Sequence, residues 1–166
     1  LQSGLMAGLE VPSYALDGIG RYLNTAQVDD GSRYAYQPGA GPRLSMTAEA
    51  LLCRQYLGWQ RDDLRMQRGV AEILANPISW ERANVYYWYY ATQVLHHAGG
   101  KEWFEWNNVM RDLLPKQQVQ TDRERGSWSP TGDAHDSQGG RLYVTCLCTY
   151  MLEVYYRHLP IYRAGR

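Results

Sequence analysis

Apolar positions recur along the chain at intervals of three and four residues, and polar interruptions divide it into six helical stretches. The first is predicted over residues 13–27; Asp29, Asp30, Gly31 and Ser32 end it, and a loop rich in Gly and Pro continues to Pro42. The second spans 45–57, with Gly58 placed to cap its C-terminus. The third starts behind Asp62 as N-cap and stops before Asn76 and Pro77, and Met66, Val70, Ile73 and Leu74 give it one apolar stripe. The fourth begins behind Asn84, ends at Gly99 and Gly100, and is apolar or aromatic on nearly every side over 85–95. The fifth covers 101–114 and stops at Pro115, with Trp103, Trp106, Met110 and Leu113 as its stripe. A polar loop over 119–140 leads to the sixth, over 141–158, closed by Pro160. Amphipathic helices (first, third, fifth) therefore alternate with more apolar ones (second, fourth, sixth). That is the pattern of a double layer, with inner helices covered by outer ones.

The chain also repeats itself. Gln27, Gly31 and Ser32 lead to Arg43, Leu44 and Thr47, while Gly126, Ser127 and Trp128 lead to Arg141, Leu142 and Thr145, 98 residues further on. The interval fits two helix hairpins of about 45–50 residues each, a usual length for helical repeats. A degenerate middle copy opens its inner helix at Arg82, Asn84 and Val85. The expected organisation is one domain, 1–166, with hairpins at about 11–60, 61–98 and 99–162. Aligning the copies puts Cys146 and Cys148 on Ala48 and Ala50, sites that close helix packing keeps small. Cys146 is accordingly expected to be buried and slow to react with thiol reagents.

Composition narrows the class. Leu, Ile, Val and Phe make up only about 19% of the chain, which would suggest disorder were it not for 14 Tyr and 6 Trp. The shortage of Val and Ile argues against a large sheet, so the fold class is all-α. Zero net charge argues against a general nucleic-acid binder and against a polybasic membrane-surface protein. The uncharged stretch over 83–95 is too short to span a bilayer, so no transmembrane segment is expected. Three Cys cannot all pair internally, which disfavours a disulfide scaffold or a cysteine zinc site. Leu1 in place of Met suggests a trimmed chain, with any targeting segment outside it.

Gln27 with Gly31 and Ser32, and Gln117 or Gln118 with Gly126, Ser127 and Trp128, look like degenerate copies of a Gln…Gly-x-Trp motif. On these residues the chain resembles the squalene cyclase and protein prenyltransferase repeat superfamily. The stretches 86–93 and 152–162 resemble a bacterial, planctomycete-like branch of it. The resemblance implies an α/α toroid fold, here about three hairpins, or half a ring, forming the C-terminal part of a longer soluble bacterial protein. The departures bear on activity. Asp29-Asp30 and Asp62-Asp63 lack the third carboxylate of the cyclases' acid motif. No stretch clearly matches the separated Asp, Cys and His zinc ligands of the prenyltransferases, or the Cys-Gly-Glu-Gln segment of the thioester branch.

Candidate chemistry lies in two places. Tyr86, Tyr87, Trp88 and Tyr90, in the Tyr86–Tyr90 run, are candidates to line an apolar or carbocation-stabilising pocket on the inner layer, against the simpler reading that they fill the core. Asp133, His135 and Asp136 are candidates to bind a cation or move protons from a loop at the cavity mouth, against a simpler role as turn formers. His96 and His97 end the fourth helix, where they suit the dipole better than a metal. Neither a metal site nor a cofactor is expected. Two functional readings follow: a non-catalytic binding or interaction module, and the C-terminal half of an isoprenoid-handling enzyme whose acid or metal site lies elsewhere. Candidate partners are a second copy, the upstream half of the same protein, or an apolar small molecule or peptide. Three hairpins leave two raw edges and a half-exposed inner face, so self-association is expected of the isolated chain.

Overall fold

Burial alternates with sequence order along the helices. The computed structural model describes residues 3–4, 7–131 and 134–157. It is mostly helical: α1 (Ser13–Ala26), α2 (Leu44–Tyr56), α3 (Leu64–Ala75), α4 (Val85–Ala98), α5 (Gly100–Gln117), α6 (Ala134–Leu152) and the short α7 (Val154–Arg157). α4 packs most extensively, along α2 on one side and α6 on the other. α3 lies against α2, α4 and α5, and α5 against α4 and α6. Ala48, Leu51, Val85, Ala91, Val94, Leu95, Val144 and Cys148 are fully or almost fully buried and form the core between α2, α4 and α6. No helix of the described residues is long and apolar enough to cross a membrane.

Local chemistry sets most of the boundaries. The Asn84 side chain accepts a hydrogen bond from the Tyr87 N–H (2.8 Å) and starts α4. At the end of α2, the N–H groups of Gly58 and Trp59 bond back to Gln55 and Arg54, and Gly58 supplies the left-handed φ of 94° that this closure needs. Asp63, rather than Asp62, caps α3: its carboxylate accepts from the Arg65 N–H at 2.9 Å and pairs with the Arg65 guanidinium at 2.6 Å. That side-chain bond, with help from the backbone N–H groups, holds the Asp63 carboxyl down to about 2. A carboxyl lowered on folding stabilises the fold above its unfolded value of about 4. The contribution fades as pH falls from there toward 2. Asp63→Ala is therefore expected to cost about 1 kcal/mol at pH 7, mostly as a lost cap because the Arg65 side chain is 42% exposed. The difference from wild type should shrink across that acid range in pH-resolved urea melts.

Several sequence expectations are corrected. Gln27 leaves the first helix and pairs with Tyr34 in a two-residue hairpin, β1 (Gln27–Val28) with β2 (Arg33–Tyr34). Pro115 does not stop α5, which runs on to Gln117. Pro115 and Arg111 are both exposed, so water can replace the hydrogen bond that the proline removes. The buried stripe of α5 is Trp106, Met110 and Leu114, with Leu113 only half-buried. Residues 134–140, expected in a loop, are helical and join α6 through a kink at Gly140 (φ 67°, ψ −168°). Glu153 interrupts the last helix, and 158–162, which closes the predicted third hairpin, lies outside the described residues.

The sequence repeat recurs as a repeated hydrogen-bond pattern. Ser32 donates through both N–H (3.2 Å) and hydroxyl (2.8 Å) to the Asp29 carbonyl, and Ser127 donates through the same two groups to the Glu124 carbonyl. The preceding Gly31 and Gly126 have φ of 93° and 84°. The Tyr34 N–H then donates to Thr47 Oγ1 at 3.0 Å, and the Trp128 N–H to Thr145 Oγ1 at 3.1 Å. Each unit thus fastens a turn to the following helix, near the start of α2 at Thr47 and just after the Gly140 kink of α6 at Thr145. Arg33, an extra residue in the first copy, pairs instead with Asp29 and Glu72.

Candidate functional site

Every third or fourth residue of α2 leaves the core. Ala48, Leu51, Leu52 and Gln55 are buried, whereas Met46, Glu49, Cys53 and Tyr56 remain half-buried on another face. α4 behaves likewise: Val85, Trp88, Ala91, Thr92 and Leu95 are buried, while Tyr86, Tyr89 and Tyr90 are half-buried. On α6, Tyr143, Cys146 and Tyr150 are half-buried. These residues form a run of rings. Tyr86 meets Tyr90 edge-on at 4.9 Å, Tyr90 meets Tyr89 at 5.0 Å, and Tyr89 reaches Tyr150 at 6.2 Å. Arg157 stands 4.1 Å above the Tyr150 ring.

At the α2 end this face runs into a groove of about 520 Å³. Ile19, Tyr22 and Leu23 of α1 form one wall, and Met46, Glu49 and Cys53 of α2, with Tyr86, form the other. The Tyr86 hydroxyl donates to Glu49 Oε2 at 3.0 Å. Burial first, then its hydrogen bond to Tyr90 and the charge of Glu49, push the Tyr86 phenol well above its usual value, so it remains a donor. Burial, then Glu49, likewise push the Cys53 thiol up and keep it from becoming a nucleophilic thiolate. The groove offers one carboxylate, phenols and apolar walls.

The residues picked out from sequence separate. Tyr86 lines the groove and Tyr90 stands beside it. Tyr87 does not reach it: its ring is 3% exposed and its hydroxyl donates to the carbonyls of Ile73 and Asn76 (both 3.1 Å), fixing α4 to α3. Trp88 is 1% exposed and lies against Trp80 at 5.8 Å. His135 is exposed and stacks on Tyr86 at 5.0 Å with an 11° interplanar angle. Asp136, one residue on, is buried and accepts from the Thr131 hydroxyl, so the two are not presented together. Asp133 lies outside the described residues. His97 is buried edge-on to Tyr56 at 5.7 Å, and His96 meets Trp103 at 5.0 Å. Among the described residues no three His, Cys, Asp or Glu side chains converge.

Sequence reasoning missed Glu49, Cys53 and the α1 wall. A signal was present: Met46, Glu49 and Cys53 stand at helical spacing, and Glu49 is the only acidic residue of α2. The cysteine expectation is also corrected. Cys146 is half-buried on the open face, and Cys148 takes the buried position. Burial first, then Asp136, push the Cys148 thiol up to about 12. In native labelling with iodoacetamide followed by mass spectrometry, Cys146 should react well before Cys148, which holds only about one part in 10⁴ as thiolate at pH 8. Equal rates would contradict the assigned faces.

Compared with family models, curated proteins and solved structures, the chain matches none.

Proposed function

We propose that the chain is a non-catalytic binding module of the squalene cyclase and prenyltransferase repeat type, three helix hairpins of an α/α toroid, holding an apolar small molecule in the groove between α1, α2 and Tyr86. The observation that carries the reading is the half-buried stripe shared by α2, α4 and α6. Three adjacent helices, each covered elsewhere, leave Glu49, Cys53, Tyr86, Tyr89, Tyr90 and Tyr150 incompletely buried on one continuous face. An ordinary helical core would close over such rings. The repeated Gly-Ser turns with their Thr47 and Thr145 anchors support the hairpin repeat. Burial disfavours ionisation of both Cys53 and Tyr86, which counts against either acting as a nucleophile in the groove.

The test is native mass spectrometry of the chain after incubation with prenyl diphosphates, divalent metals and lipid extract. The reading expects a one-to-one adduct with an apolar molecule that is released chemically unchanged. A released product of altered mass would favour the enzyme reading, and absence of any apolar adduct would count against the groove.

A further inference from the structure

Among the described residues Glu49 is the only carboxylate lining the groove. Elsewhere Asp29 and Glu72 pair with Arg33, and Asp63 pairs with Arg65. Among the described residues no Lys, Arg or His forms an ion pair with Glu49, whose one hydrogen bond comes from Tyr86. An ionised carboxylate has about four lone-pair sites, and the one bond from Tyr86 leaves others open to a donor. Tyr22 and Tyr86 stand in the same walls. Phenol rings attract positive charge through their negative faces. Ile19, Leu23, Met46 and Ala50, also in the lining, suit a hydrocarbon or aryl body. The groove's volume of about 520 Å³ falls among those of small-ligand sites, about 300–1,000 Å³.

The geometry points to an organic ammonium as the ligand class: a protonated amine paired with Glu49, with its apolar body lying between α1 and α2. This rests on the groove being the binding site of the module. The Tyr86 hydroxyl orients the carboxylate by occupying Oε2 and leaves Oε1 for the incoming N–H.

Three probes that share one apolar body separate the inference from the reading beneath it: 4-phenylbutylammonium, 4-phenylbutanol and 4-phenylbutyrate, titrated calorimetrically at pH 7. The ammonium is expected to bind about tenfold more tightly than the alcohol, the effect of a charge pair plus ring contact in a partly desolvated site, and the carboxylate most weakly. Glu49→Gln should bring the ammonium down to the level of the alcohol and leave the alcohol unchanged. If that variant fails to fold, the wild-type series still decides. Equal wild-type affinities for ammonium and alcohol would overturn the ammonium assignment and leave the groove intact as an apolar site. No binding by any of the three would overturn both. A concentration-dependent mass in light scattering, abolished by Ile19→Asp, would give the groove to a second copy of the chain and overturn the assignment.

Discussion

Replacing Trp128 by alanine should lower the unfolding free energy by about 3–5 kcal/mol in urea denaturation, the largest loss expected of any single truncation outside the central helices. The indole is 2% exposed. Its Nε1–H donates to the Leu114 carbonyl at 2.8 Å, near the end of α5, and its backbone N–H donates to Thr145 Oγ1, near the start of the straight part of α6. Alanine would leave an indole-sized cavity and strand the Leu114 carbonyl away from its donor. Trp128→Phe keeps most of the buried area and loses only the Nε1 bond, so it should cost about 1–2 kcal/mol. Domains are typically stable by only about 5–15 kcal/mol, so the alanine variant should lose cooperativity at 37 °C while the phenylalanine variant stays folded. Near-equal costs for the two would show that the ring volume contributes little there and that the bond to Leu114 carries the effect.

Gly69→Ala is expected to destabilise although alanine is the better helix former. On propensity alone the change in mid-helix would gain about 1 kcal/mol. The added Cβ, however, would stand 2.5 Å from Leu51 Cδ1 and 2.8 Å from the Ser32 carbonyl oxygen. Leu51 is completely buried, and Ser32 belongs to the repeated turn, whose backbone is fixed by two bonds to Asp29. Neither neighbour can retreat without disturbing the core or the turn, and overpacking of this kind costs typically about 1–3 kcal/mol, occasionally more. The steric cost outweighs the propensity gain, and the net loss should lower the melting temperature by several degrees. A variant more stable than wild type would mean that α3 approaches α2 less closely than described.

Much of this fold was legible because helix ends are written locally. Asn84 before an apolar run, Gly58 and Gly99 after one, and Asn76 with Pro77 were enough to place four boundaries within a residue or so. Where a signal competes with tertiary context, it misled. Pro115 reads as a stop, but its turn is exposed and tolerates the missing donor. Gly139 and Gly140 read as loop, yet the left-handed φ of Gly140 joins two helical segments. The site was harder. Five consecutive aromatic residues carry no periodicity, so nothing in the sequence distinguishes Tyr86 and Tyr90, at the open face, from Tyr87 and Trp88, turned into the core. That distinction depends on where α2, α3 and α6 lie around α4. Glu49 was overlooked because one acid in a helix is ordinary; its interest comes from Tyr86, a residue 37 positions away.

The central claim is that the groove between α1, α2 and Tyr86 is where this chain holds its ligand, and amide chemical-shift mapping with 4-phenylbutanol tests it most directly, since this probe does not depend on charge. The account predicts saturable shifts concentrated at Ile19, Leu23, Glu49, Ala50, Cys53 and Tyr86, with Phe104 and Val109 on the exposed side of α5 unmoved. Shifts centred on α5, or none above the level of scattered surface contacts, would contradict it.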